Sequence, residues 1–116
     1  MGNRVCVIGA GPSGITAAKN CIQNGLDVTV FEMNDKVGGN WVFNSKTGHS
    51  SVYENTHLIS SKAWSEFEDF PMPDSYPDYP NHRMSQQIFG LKRLGDLPEL
   101  KLRAQDVLRG LDQGTI

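Results

Sequence analysis

The sequence has no long apolar run and no large excess of charge of either sign. Its 116 residues carry 11 Lys or Arg and 13 Asp or Glu, a formal net charge of −2. Without a broad basic surface, no nucleic-acid partner is expected. Without a run of about 20 apolar residues no transmembrane segment is expected, and residues 1–4 lack the apolar core of a secretory signal. We therefore expect a cytoplasmic protein.

Cysteine is scarce, and the histidines lack the spacing of a metal site. Cys6 lies in an apolar strand pattern and Cys21 in a helical one, which favours two buried, reduced thiols over a disulfide. His49, His57 and His82 are too far apart along the chain for a short ligand motif, and no cysteine stands near them. We expect a reducing compartment and no metal ion.

The first third of the chain has the apolar periodicity of a strand, a helix and a second strand. Residues 4–8, Arg-Val-Cys-Val-Ile, form a short β-rich run that is apolar after Arg4 and shows no polar alternation, typical of a strand covered on both faces of a parallel sheet. Residues 12–24 repeat apolar side chains at helical spacing, and residues 27–31 form the second strand. This order predicts a parallel βαβ unit. The helical stripe comprises Ile15, Ala18 and Ile22.

The remainder of the chain is less regular. Glycine and proline interrupt it, so residues 40–53 are predicted to form a loop or irregular hairpin and residues 67–82 an extended segment over other surface. Residues 96–111 regain a helical pattern, with Asp96 as N-cap and Glu99 at capping-box spacing. The sequence offers no third or fourth long strand to complete a wide sheet. We therefore expect an incomplete parallel sheet, with open edges and apolar faces that a partner chain could complete.

A glycine-rich motif separates the first strand from the helix. Residues 9–14 have the pattern GxGxxG. Gly9 permits a tight turn, Gly11 lets the backbone approach a pyrophosphate, and Gly14 lets helix and strand pack closely. Unpaired amide groups at the start of the helix would face the phosphates. The predicted cofactor-binding residues of this motif are Gly9, Ala10, Gly11, Pro12, Ser13 and Gly14.

A carboxylate at the end of the second strand indicates which dinucleotide fits. Glu32 can accept hydrogen bonds from ribose hydroxyls and would repel a 2′-phosphate, so FAD or NAD fits and NADP does not. Residues 38–41, Gly-Gly-Asn-Trp, resemble a segment that many FAD-binding proteins place against the cofactor. This favours FAD and adds Gly39, Asn40 and Trp41 as cofactor-binding candidates. No catalytic residue can be assigned, because the acidic residues between 66 and 78 are typical of a solvated loop.

Together these motifs resemble the flavin-containing monooxygenases. The resemblance covers about the first 85 residues and includes the segments 49–62 and 67–82. It implies an FAD-dependent, NADPH-using enzyme that inserts one oxygen atom of dioxygen into soft nitrogen or sulfur nucleophiles of a small-molecule substrate. The fold expected is α/β, with a Rossmann-like FAD/NAD(P)-binding βαβ unit, a long irregular loop region and a C-terminal helix. We divide it into a partial FAD-binding domain, residues 1–85, and a divergent helical tail, residues 86–116.

Two features depart from the family pattern. Many members have Asn directly before the Ser-Ser-Lys segment at residues 60–62, whereas this chain has Ile59, which cannot donate a hydrogen bond; an oxidase or reductase is compatible with this. No second glycine-rich turn for NADPH is present, which suggests a truncated product, a fragment or a divergent short form. A non-catalytic dinucleotide-binding remnant and another FAD-dependent oxidoreductase stay open as alternatives.

Overall fold

The elements of the fold alternate between strand and helix at the start of the chain and become irregular after the second strand. A computed structural model describes residues 2–45, 48–92 and 101–104. The elements, in chain order, are β1 (Arg4–Ile8), α1 (Pro12–Gln23), β2 (Asp27–Glu32), a 3₁₀ turn (Gly39–Trp41), α2 (Lys62–Ser65), α3 (His82–Gln86), a π-helix (Gln87–Leu91) and β3 (Lys101–Ala104).

The strands form one parallel sheet in the order β1-β2-β3. Arg4 pairs with Asp27 and Ile8 with Phe31, so β1 and β2 are in register over the whole of β1. β3 pairs with the other edge of β2, from Thr29 to Glu32. The predicted parallel βαβ unit is confirmed, and the strand order is that of one half of a dinucleotide-binding α/β sheet.

The third strand corrects the prediction of a helix over residues 96–111. Four of those residues, Lys101–Ala104, form β3, and Ala104 pairs with Glu32. The open edge of β2 offers unpaired backbone groups, and pairing with them outweighs the local capping signal. The sequence indicated no third long strand, and the short strand β3 was therefore missed. The rest of the predicted helix lies outside the described residues, and the boundary at residues 85/86 stays a prediction.

Helix α1 buries one face of the sheet. Ile15 and Ala18 are fully buried and pack with Val28 and Val30 of β2, while Ile22 is partly buried beside them. The helical stripe predicted from the sequence is confirmed. Apolar spacing at three and four residues places these side chains on one side of the helix, and their burial fixes the distance between helix and sheet.

The face of the sheet opposite α1 is open within the described part of the chain. Arg4, Cys6 and Ile8 are exposed there, so the prediction that β1 is covered on both faces is wrong for these residues. Cys6 is an exposed free thiol and Cys21 a half-buried one, so neither is fully buried as expected. The reason is that α1 covers the other face only. A partner chain that completes the sheet stays a prediction.

A second hydrophobic cluster packs the long connection between β2 and β3. Buried side chains from the loops and from the π-helix meet there, surrounded by half-buried aromatic rings. The short helices α2 and α3 were not predicted, because neither is long enough to show a helical repeat. The buried members are Leu58, Met72, Ile88 and Phe89. No helix among the residues described is long and apolar enough to cross a membrane.

Helix α3 depends on a side-chain cap. The Asn81 side-chain oxygen accepts a hydrogen bond from the Met84 backbone N–H at 3.0 Å. We expect Asn81→Ala to lower the free energy of unfolding by about 1 kcal/mol, the usual cost of losing such a cap. Urea denaturation followed by circular dichroism would measure it. Asn55→Ala, at an exposed position, is the matched control and should change stability by less than about 0.5 kcal/mol. Equal effects of the two variants would contradict the assignment.

Candidate functional site

The glycine-rich motif lies at the junction between β1 and α1, as the sequence predicted. β1 ends at Ile8 and α1 begins at Pro12. Gly9 turns the chain with a φ of +103°, and its N–H donates to the carbonyl oxygen of Phe31 at 2.7 Å. The motif is thereby fixed at the carboxyl ends of β1 and β2, which is where parallel α/β sheets bind their ligands.

Gly14 allows the helix to approach the strand closely. A Cβ atom placed on Gly14 would lie 1.9 Å from the carbonyl oxygen of Gly9 and 2.8 Å from its carbonyl carbon. Both atoms belong to the backbone, so no side-chain movement can make room. The role predicted for the third glycine of the motif, close packing of helix against strand, is confirmed.

The first turn of α1 presents unpaired donors. Its first helical hydrogen bond runs from the Ile15 N–H to the Gly11 carbonyl at 3.0 Å, and no side chain caps the helix. In the part of the chain that the structure describes, the N–H groups of Gly11, Ser13 and Gly14 donate to no other group. Pro12 has no N–H to satisfy. These donors and the positive end of the helix dipole form a site suited to an anion such as a diphosphate.

Glu32 is tied to the motif by its own carboxylate. The side chain is 8% exposed. One carboxylate oxygen, Oε1, accepts from the Ala10 N–H at 2.8 Å, and the other, Oε2, accepts from the Asn34 N–H at 2.7 Å. An ionised carboxylate oxygen can accept about two hydrogen bonds, so each oxygen keeps capacity for one ribose hydroxyl. The two hydrogen bonds that Glu32 accepts from Ala10 and Asn34 were not predicted from the sequence.

A cleft of about 190 Å³ opens beside Glu32. Asn40 closes one side, because its side-chain oxygen accepts from the Ser51 N–H at 2.8 Å and its carbonyl accepts from the Ser50 hydroxyl at 2.7 Å. These bonds fold residues 50–51 back onto Asn40, within the segment 40–53 that the sequence predicted to be a loop or irregular hairpin. The position of this loop beside the cleft was not predicted, since no sequence pattern links it to the glycine-rich motif. The other lining residues are Met33, Asn34, Gly39, His49 and Ser50.

The Gly38-Gly39 turn packs directly on the glycine-rich motif. The Gly38 N–H donates to the Ala10 carbonyl at 2.9 Å. A Cβ atom on Gly39 would lie 2.9 Å from the Cα of Gly11, and the φ of Gly39 is +58°. The structure therefore brings together the two glycine-rich segments that the sequence indicated separately.

Trp41 and His82 lie away from the cleft, whereas His49 lines it. The Trp41 ring packs in the second hydrophobic cluster, 5.7 Å from the ring of Phe89, so its place along a cofactor stays a prediction. The Ile59 side chain is 99% exposed. His82 is buried, with Nε2 3.1 Å from the Glu54 carbonyl and its ring 5.1 Å from Phe43. Among the described residues no group of three His, Cys, Asp or Glu could hold a metal ion.

The chain is similar to known proteins of one family. The chain matches the family model described as Flavin-binding monooxygenase-like over residues 2–94. It is 39% identical over 89 residues to Flavin-containing monooxygenase 3 of Oryctolagus cuniculus, and 45% identical over 89 residues to Putative dimethylaniline monooxygenase (N-oxide-forming) 6 of Homo sapiens. Each alignment covers 75% of this chain, which spans 17% and 16% of the two relatives.

The same fold occurs among solved structures. S-allyl-L-cysteine S-oxygenase from Allium sativum superposes with a TM-score of 0.70 at 22% identity. The superposition covers 88% of this chain and 28% of that protein. At this level of identity the comparison establishes a shared α/β architecture.

Proposed function

The chain belongs to the flavin-binding monooxygenase-like family, and from this premise we propose that it is the FAD-binding portion of a flavin-dependent, NADPH-using monooxygenase. The family implies a flavin cofactor. The observation that carries the proposal is that the free amide donors of α1 and the Glu32 carboxylate lie together at the carboxyl ends of β1 and β2. These groups match the diphosphate and the ribose of an adenine dinucleotide. The choice of FAD over NAD rests on the flavin-binding family and on residues 38–41.

The residues of the site divide into those that contact the cofactor and those that shape the site. Gly11, Ser13 and Gly14 supply the free N–H groups for the diphosphate. Ala10 uses its N–H to orient Glu32, and Gly9 uses its N–H to hold the end of β2. Pro12 presets the first turn of the helix. Gly39, Asn40 and Trp41 complete the proposed set.

The Glu32 carboxylate favours FAD over a 2′-phosphorylated dinucleotide. Two hydroxyls of an adenosine ribose can donate to its remaining lone pairs, whereas a 2′-phosphate would place like charge against a buried carboxylate. A bound flavin supplies electron transfer and oxygen activation. The task of the residues described here is to bind and orient its adenosine diphosphate half.

Soft nitrogen or sulfur nucleophiles are the proposed substrates. The human relative is named as N-oxide-forming, and the structural neighbour from Allium sativum is named as an S-oxygenase. Both names describe oxygen transfer to a small molecule at such a centre. NADPH as reductant follows from the family resemblance. Two free cysteines support the proposal of a reducing, cytoplasmic location.

Binding of nucleotides to the purified chain tests the proposal. We expect FAD to co-elute with the protein in gel filtration and its fluorescence to change on binding. ADP should displace it, and ADP carrying an additional 2′-phosphate should compete at least about tenfold less well, a difference of about 1.4 kcal/mol. Colourless protein and unchanged flavin fluorescence would contradict FAD binding. Equal competition by the two nucleotides would contradict the role of Glu32.

A further inference from the structure

The Gly38-Gly39 turn is held on two sides. On one side Gly38 donates to the Ala10 carbonyl, and Gly39 lies against Gly11. Both glycines have positive φ, +127° and +58°. Glycine is the least restricted residue, so the backbone of such a pair has many alternatives and must be fixed by contacts. The contacts on its other side therefore decide how well the turn stays against the motif.

Gln86 makes the first of these contacts. Its Nε2 donates to the carbonyl oxygen of Val37 at 3.1 Å, and Val37 is buried. The Cγ of Gln86 also lies close to the turn, because a Cβ on Gly38 would come within 2.8 Å of it. One half-buried side chain thus satisfies a buried carbonyl and packs on the glycine that follows it.

Gly90 makes the second contact, through its backbone. A Cβ atom on Gly90 would lie 3.0 Å from both the N and the Cα of Gly38, and 3.2 Å from the carbonyl carbon of Val37. Gly90 is buried. The absence of a side chain lets the π-helix touch the turn directly, and any larger residue would press on it.

The π-helix explains how one short segment serves both the turn and the hydrophobic core. It continues α3 from Gln87 to Leu91. Ile88 and Phe89 point into the second hydrophobic cluster, while Gly90 meets the turn. Wider π turns within helices are rare and often accompany functional sites. Here the wider turn accompanies a helix whose successive residues contact two different parts of the protein.

We propose that Gln86 and Gly90 are positioning residues for the dinucleotide. They hold the Gly38-Gly39 turn against Gly11, whose free N–H faces the diphosphate site. This inference rests on the proposed function, since the ligand is the one argued there. Loosening the turn leaves the donors of α1 in place, but the Gly38-Gly39 segment would then have to become ordered when the cofactor binds. The entropy lost in that ordering lowers the affinity.

Flavin titrations of the full chain and three variants test this role. Gln86→Met keeps the length of the side chain and removes the donor, and we expect it to weaken FAD binding about three- to tenfold, the range of one ordinary hydrogen bond. Gly90→Ala should weaken it at least as much. Ile88→Val is the matched control on the same helix. It should lower the urea midpoint while leaving the FAD dissociation constant and the visible circular dichroism of the bound flavin unchanged.

The outcomes separate the inference from the proposed function. If the wild-type chain binds no FAD, both fall. If the wild type binds FAD and Gln86→Met and Gly90→Ala bind it equally well, the positioning role alone is overturned. It is also overturned if Ile88→Val loses affinity to the same extent, because the effect would then follow general stability. Weaker binding confined to the two turn-facing variants, with an altered flavin spectrum, supports it.

Discussion

Gly14→Ala is expected to lower the free energy of unfolding by about 3 kcal/mol or more, the upper range for overpacked sites. The added Cβ would lie 1.9 Å from the Gly9 carbonyl oxygen. Relief requires α1 to move away from β1, which would loosen the packing of Ile15 against Val28 and Val30 of β2. The same movement would displace the free amides of the first turn, so FAD binding should be lost as well.

A graded set of glycine variants isolates this clash. Gly2→Ala meets no atom within 4 Å and should change stability by less than about 0.5 kcal/mol. Gly25→Ala also meets no atom but has a φ of +77°, so backbone strain alone should cost about 1–2 kcal/mol. Urea denaturation of all three would establish the order. A loss for Gly14→Ala no larger than that for Gly25→Ala would show that helix and strand can separate cheaply.

Glu32→Gln is expected to have the second largest effect, because it mismatches two buried donors. The carboxylate accepts from the N–H groups of Ala10 and Asn34. A glutamine can accept from one of them, but its NH₂ group then faces the other N–H. A buried donor left unpaired costs about 1–3 kcal/mol, and we expect a loss of about 2–4 kcal/mol once the stronger charged hydrogen bonds are included.

Glu32→Gln should also lower the affinity for FAD. One ribose acceptor becomes a donor, so we expect binding to weaken at least about tenfold, equivalent to 1.4 kcal/mol. Glu68→Gln removes the same charge from an exposed position and should leave stability and affinity unchanged. Fluorescence titration and urea denaturation measure the two quantities. If Glu32→Gln changed stability and FAD affinity as little as Glu68→Gln, the Glu32 carboxylate would neither stabilise the buried N–H groups nor bind the ribose.

The parts of the fold that the sequence predicted are those specified by neighbouring residues. β1, α1 and β2 follow from apolar periodicity and glycine placement, and their bounds differ from the predicted ones by at most a residue. β3 could not be predicted this way. Lys101–Ala104 carries no strong strand pattern, and its conformation comes from the open edge of β2, dozens of residues away.

The candidate site shows the same division. The spacing of the residues predicts the GxGxxG motif and Glu32, because the turn, the helix start and the strand end that they mark are each determined by neighbouring residues. The hydrogen bond from Ala10 to Glu32 has no sequence signal, since it appears only when β1 and β2 are paired. Gln86 and Gly90 were missed for the same reason. Their contact with residues 37–38 joins segments about fifty positions apart.

The hydrogen bonds that the Glu32 carboxylate accepts, together with its proposed role at the ribose, also limit how this protein can change. Families of dinucleotide-binding proteins alter their preference by replacing the acidic residue at this position. Here such a replacement would leave two buried main-chain N–H groups, those of Ala10 and Asn34, without a hydrogen-bond acceptor. A switch of nucleotide would therefore require a compensating acceptor to arise at the same time. A substitution of Glu32 that changed the proposed preference for a nucleotide would therefore also lower the stability of the fold.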